Sequence, residues 1–160
     1  MIRNPLAAIV LGTVLSLVTG CAASAPPSTS RDSSSMNRIA ESYVKLVLAV
    51  GQHDADYVDA FYGPPEWRAA AEKAKRPLSD IRDEATSLIA EIEAQPPGAG
   101  DELVRLRHQY LGRQLQALLA RVNMLSGTRL TFDEESKALY DAVSPHHDAA
   151  WYQEIVDQLD

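Results

Sequence analysis

Cysteine is almost missing from this chain: among 160 residues there is one, Cys21. No internal disulfide can form, so any folded part must be held by a packed core whatever the redox state of its compartment. Aromatic residues make up only 6% of the chain, and no segment sustains the two-residue alternation of a half-buried strand. A β-sandwich therefore has little to build on. Basic residues are outnumbered, 15 against 22 acidic, which excludes a general nucleic-acid-binding surface. The longest apolar run, Leu6 to Val18, covers thirteen residues. As a helix it reaches roughly 20 Å against a hydrocarbon core of about 30 Å, too short to span a bilayer comfortably. Also absent are H-E-x-x-H, G-x-S-x-G, a phosphate-cradling glycine loop, a Cys–His pair and any internal repeat.

What is present begins with that apolar run. Arg3 precedes it, and Leu17-Val18-Thr19-Gly20-Cys21 follows it, the layout of a secretory signal with a cleavage site. The string resembles the bacterial lipobox, with a branched apolar residue at −3 and small residues at −2 and −1. The resemblance implies diacylglyceryl transfer to the Cys21 thiol, cleavage between Gly20 and Cys21, and acylation of the new amino terminus. The chain would then be tethered to a lipid bilayer on the extracytoplasmic side of the cell envelope. The competing readings are a transmembrane anchor, for which the run is short, and an ordinary secretory signal with an incidental cysteine. Ala22 is not the Asp that retains lipoproteins in the inner membrane. The outer membrane, facing the periplasm, is thus the expected location in a Gram-negative source. Loss of residues 1–20 removes Arg3 and no acidic residue, leaving 14 basic and 22 acidic side chains. Lipid, not charge, must hold such a surface at anionic headgroups.

After acylated Cys21, Ala22 to Ser35 carries no large apolar residue, and the composition predicts a disordered tether. Residues 36–160 form the expected domain, all-α, an irregular bundle of about five to six helices. Ile39, Tyr43, Leu46, Val47 and Val50 step as one face of a helix over Met36–Val50, capped by Ser35 or Asn37 and ended by Gly51. A short helical turn capped by Asp54 follows, then Gly63-Pro64-Pro65, with Pro65 opening a helix to about Lys75. Leu78 to Ala94 is amphipathic. After a loop around Pro96-Pro97-Gly98, Asp101 caps the longest helix, Glu102 to Leu125. Its predicted buried line is Val104, Leu111, Leu115, Leu118, Val122 and Leu125, with Leu103, Leu106 and Tyr110 widening it. Thr131 and Glu134 fit a capping box for a helix that stops at Ser144-Pro145. Asp148 caps a last helix bearing Trp151, Tyr152, Ile155, Val156 and Leu159. That stripe lies next to Asp160 with no closing residue, the mark expected of a chain cut short or dependent on something that follows.

Few residues suggest chemistry. His146-His147-Asp148 is the densest set of metal-ligand types, but a zinc site needs further ligands and no cysteine is free. The bland reading is a polar loop leading to the Asp148 cap. His53-Asp54 reads as a helix-end histidine followed by a cap rather than a catalytic pair, and His108 as a long-helix histidine that either faces solvent or is buried with one hydrogen bond. Glu134-Glu135 and Asp80-Asp83-Glu84 lie in first helical turns, where negative charge complements the helix dipole. Tyr57, Phe61, Tyr62 and Trp67 form an aromatic group around Gly63-Pro64-Pro65, either lining a carbohydrate or peptide groove or packing the turn between two helices.

Four strings carry a family resemblance: Asp56-Tyr57-Val58-Asp59-Ala60-Phe61-Tyr62-Gly63-Pro64-Pro65-Glu66-Trp67, Arg113-Gln114-Leu115, Leu130-Thr131-Phe132-Asp133-Glu134-Glu135-Ser136, and Leu139-Tyr140-Asp141-Ala142-Val143. Together they resemble the amino-terminal part of bacterial proteins of the domain of unknown function 885 family. The resemblance implies a largely helical fold related to zinc metallopeptidases. In those proteins an H-E-x-x-x-x-H-H-like zinc-binding segment lies well beyond the matched region. That segment is absent here, and no Glu precedes His146-His147 at the needed position. No catalytic residue carries over, and zinc is implied only for full-length relatives. The expectation is a gene fragment or shortened relative, inactive alone, with a missing C-terminal region or an envelope protein as its partner. A complete helical lipoprotein that binds or scaffolds an envelope partner is the alternative.

Overall fold

The computed structural model describes residues 29–95 and 102–159, with side chains from Ser34 onward. The signal segment, Gly20 and Cys21, the tether up to Pro27 and Ser28, and the Asp101 cap lie outside the described residues. Six α-helices are described: α1 (Thr29–Val50), α2 (Pro65–Ala74), α3 (Leu78–Glu93), α4 (Glu102–Leu125), α5 (Phe132–Tyr140) and α6 (Ala149–Asp157). A single 3-10 turn, Ala55–Tyr57, links α1 to α2. The all-α expectation holds.

The core is a three-helix packing of α1, α3 and α4, with α2 laid on α1 and α5 on α4. Each core helix contributes one stripe at three- and four-residue steps. α1 buries Ile39, Leu46 and Val50, α3 buries Ile81, Ala85, Leu88 and Ile92, and α4 buries Leu111, Leu115, Leu118 and Val122. No polar side chain is buried in it. The stripes are joined at their edges by polar ties. Arg38 pairs with Glu91, Arg82 Nε donates to Asn123 Oδ1 at 2.9 Å, and His108 Nε2 lies 2.8 Å from the Ile92 carbonyl and 3.0 Å from that of Gln95. The Ile92 carbonyl also accepts from the Gln95 N–H at 3.1 Å, so His108 adds a side-chain partner to the end of α3.

Three expectations need correction. α1 starts at Thr29, not Met36, so the last seven residues assigned to the tether are helical. Met36 is already in the core, so the helix has a buried anchor from which it can extend outward. The side chains expected to cap at Met36 are used across the bundle instead. Ser35 Oγ accepts from Gln95 Nε2 at 2.8 Å, and Asn37 Oδ1 accepts from Arg107 at 2.7 Å. Secondly, α5 ends at Tyr140 rather than Ser144. Asp141 takes a left-handed conformation, φ 55°, where its carboxylate accepts from Lys137 Nζ at 2.5 Å and pairs with Arg113 at 2.8 Å. Two cations over the last turn offset the strain of a non-glycine residue there. Thirdly, the buried line of α4 is shorter than expected. Val104 is 37% exposed, and Leu103, Leu106 and Tyr110 are 74%, 46% and 64% exposed.

The capping box on α5 is present: the Thr131 hydroxyl accepts from the Glu134 amide, and the Glu134 carboxylate accepts from the Thr131 amide at 2.8 Å. Thr131→Ala is expected to cost about 0.5–2 kcal/mol, seen as a lower denaturant midpoint with an unchanged slope. The Glu134 carboxyl is held below its ordinary value of 4.5, by the Thr131 amide first and the Thr131 hydroxyl second. A lowered carboxyl pKa means that this tie is fully present above the ordinary value and is lost as the pH falls through the lowered one.

Candidate functional site

One face of α4 carries Tyr110, Arg113, Gln114, Ala117 and Arg121 at three- and four-residue steps, turned away from its core stripe. α5 packs on this face in the opposite direction, with Glu135 toward Arg121 and Asp141 beside Arg113. The 3-10 turn closes the side with Asp54, Asp56 and Tyr57. Between them run two adjoining cavities of about 540 and 320 Å³, which share Gln114, Leu139 and Tyr140.

The groove has a built floor. Tyr43 from α1 donates its hydroxyl to Gln114 Oε1 at 2.9 Å, which leaves the Gln114 amide N–H groups to donate elsewhere. Burial pushes the Tyr43 phenol up to about 12, with the neighbouring Tyr57 and Tyr110 phenols adding to the effect. Burial likewise raises Tyr57, against a smaller opposing pull from Arg121. At its far end Arg121 donates through Nε and Nη2 to Asp54 Oδ2, at 2.9 and 2.6 Å. Asp54 is only 13% exposed. It was expected to cap the helical turn, yet its side chain makes no cap hydrogen bond. The guanidinium recruits the carboxylate because a charge-assisted bond is stronger than a cap to one amide.

Two outcomes follow. Asp54→Ala strands the Arg121 guanidinium and should destabilise the fold by about 1–3 kcal/mol, measured by urea unfolding. The raised Tyr43 pKa keeps that phenol neutral in the fold after the unfolded chain has begun to ionise. Its contribution is therefore intact below its ordinary value of 10.0 and is lost as the pH rises toward about 12. Tyrosinate absorbance during an alkaline titration should show a late component that Tyr43→Phe removes.

The aromatic residues singled out from the sequence do not gather in one place. Tyr57 lines the α4–α5 groove. Phe61 and Tyr62 border a separate open cleft of about 520 Å³ with Asp59, Arg68 and Glu72, and Tyr62 is 97% exposed. The Phe61 ring lies over Gly63, where an added Cβ would come within 2.4 Å of it, and the Arg68 guanidinium sits 5.7 Å from the ring centre. Trp67 instead lies under the Lys45 ammonium at 4.9 Å.

The histidines are also separated. His146 Nε2 meets Asp133 Oδ2 at 2.7 Å, whereas the His147 ring stacks on Trp151 at 3.7 Å between centres. His53 Nε2 contacts the Arg76 carbonyl at 2.7 Å. Among the described residues no three His, Cys, Asp or Glu side chains are grouped to hold a metal ion, and no helix is long and apolar enough to cross a membrane.

Comparison of the chain with protein-family models, with curated proteins and with solved structures finds no match. The site must therefore be read from its own groups. It offers phenols, an amide and charged groups of both signs, four carboxylates and three cations, along its lining. Reading the sequence missed the roles of Tyr43 and Arg121 and the cavity that Tyr110 and Tyr140 line together between α4 and α5. The signal that could have found them was the second face of α4, where tyrosine, glutamine and arginine recur at helical spacing opposite the leucines.

Proposed function

We propose that this chain is a lipid-anchored module of the cell envelope, equivalent to the helical front portion of a metallopeptidase-like protein and not catalytic alone. The supporting observation is convergence. The four strings that carry the family resemblance are spread over residues 56–143, yet each supplies lining residues to the α4–α5 groove or its rim: Asp56 and Tyr57, Arg113 and Gln114, Glu135, and Leu139 to Asp141. The rest of the first string, from Asp59 to Gly63 and Pro65, borders the separate cleft instead. In this reading the groove walls one side of a cleft for a peptide-like substrate, and the zinc chemistry belongs to a segment that this chain lacks. The anchor is Cys21, acylated after cleavage at Gly20, with the outer membrane, periplasmic face, as the expected site.

The test is a peptidase assay on the purified chain with zinc supplied. No cleavage above background is expected, and robust cleavage abolished by a chelator would overturn the reading. The alternative, a complete helical lipoprotein that binds or scaffolds an envelope partner, draws support from the closed α1–α3–α4 core, whose central side chains Ile39, Ile81 and Leu115 have no exposure at all. A sharp two-state melt of a monomer favours this alternative. A broad transition with dye binding favours the front-portion reading.

A further inference from the structure

α5 covers only the C-terminal half of the outer face of α4. Toward the start of α4 the same face continues through Tyr110, Leu106 and Leu103, exposed by 64%, 46% and 74%. By helical geometry the stripe is flanked on its two sides by Arg107 and Arg113. α6 has the complementary character. Trp151, Tyr152, Ile155 and Val156 form its apolar arc and are 39–50% exposed. Its charged groups, Glu154 and Asp157, are both acidic, as is its cap Asp148, and it holds no Lys or Arg. No core helix packs along α6 as α5 packs on α4.

Within one molecule the linker works against this pairing. The bond from His146 to Asp133 folds the segment after α5 back toward the start of that helix, whereas the open stripe lies beyond the other end of α5, past Asp141 and Arg113. We propose that the α6 helix of a second copy of this chain occupies the Leu106–Tyr110 stripe, and that the exchange is mutual. A mutual exchange closes with two-fold symmetry, so it stops at a dimer instead of growing into a filament. Charge selects the occupant. A helix with only acidic charges is repelled by anionic headgroups and drawn to the Arg107 side of the stripe, where the guanidinium meets only the neutral Asn37 amide, whereas Arg113 is already paired with Asp141.

The experiment uses two differently tagged full-length chains made in the same cells, one carrying Leu106→Cys and the other Ile155→Cys. Mild oxidation of the extract should give a mixed disulfide containing both tags, absent from control pairs whose only cysteine is Cys21. Arg107→Glu in the first chain, or Glu154→Lys in the second, should lower its yield about tenfold or more, and the two together should restore it. Circular dichroism of each variant checks that the helices persist. A chain carrying both Leu106→Cys and Ile155→Cys is oxidised in parallel; if it closes an internal disulfide on one tag while the two-tag pair gives no adduct, α6 closes on its own molecule and the proposal is wrong. It is equally wrong if no adduct forms, or if its yield ignores both charge reversals.

Discussion

Leu115→Ala should destabilise the domain by about 2–5 kcal/mol, the range for removing a fully buried leucine without collapse of the space it leaves. Leu115 has no exposed surface. It lies midway along the α4 stripe, where that helix meets both α1 and α3, so no exposed loop can shift to fill the void. A domain of this size typically has about 5–15 kcal/mol in total. The substitution would therefore consume a large part of the margin. The matched control is Leu106→Ala, nine positions earlier on the same helix and 46% exposed. It should change the monomer by no more than about 0.5 kcal/mol. Denaturant unfolding of both, at equal slope and at a concentration low enough to suppress self-association, measures the difference. Equal costs at the two positions would mean that the outer face of α4 is as buried as the inner one.

Cys21→Ser has the largest expected effect on location. Buried acyl chains contribute about 0.8 kcal/mol per CH₂, and a single chain binds a bilayer only marginally, so durable anchoring needs the several chains that a lipobox cysteine receives. On the proposed anchoring, removing the only thiol in the chain would remove all of them, because acylation of the new amino terminus would follow from the first transfer. The remaining surface is acidic and gives no electrostatic hold. The variant should therefore leave the membrane pellet almost completely, or keep its uncleaved signal and run at a higher mass. Fractionation followed by electrophoresis separates these outcomes from wild type. A variant that pellets unchanged at the mature mass would show that something other than lipid holds the chain.

The helices were largely legible because each carries its own local instructions. Pro65 at a first helical position, the Thr131–Glu134 box and the Asp148 cap all lie where the spacing predicted, and α4 runs Glu102–Leu125 as expected. What misled was context that spacing cannot supply. Ser35 and Asn37 are good caps by type, but they are spent on Gln95 and Arg107. Asp54 abandons its cap for Arg121, 67 residues away. α5 ends early because Lys137 and Arg113 hold Asp141 past its last turn. The apolar residues at the start of α4 and along α6 obey the pattern of a buried face and yet are exposed, because periodicity reports which side of a helix is apolar and not what meets it. The groove was hidden for the same reason. Its parts come from α1, the 3-10 turn, α4 and α5, and only packing brings Tyr43 to Gln114 and Arg121 to Asp54.

The proposed compartment and envelope role both rest on the acylated Cys21. Mass spectrometry of the amino-terminal peptide from the membrane-extracted chain tests it directly. The account predicts a peptide beginning at Cys21, heavier than its sequence by a diacylglyceryl group and an additional acyl chain. A peptide beginning at Met1, with an unmodified Cys21 and recovered from the soluble fraction of the cytoplasm, would contradict it.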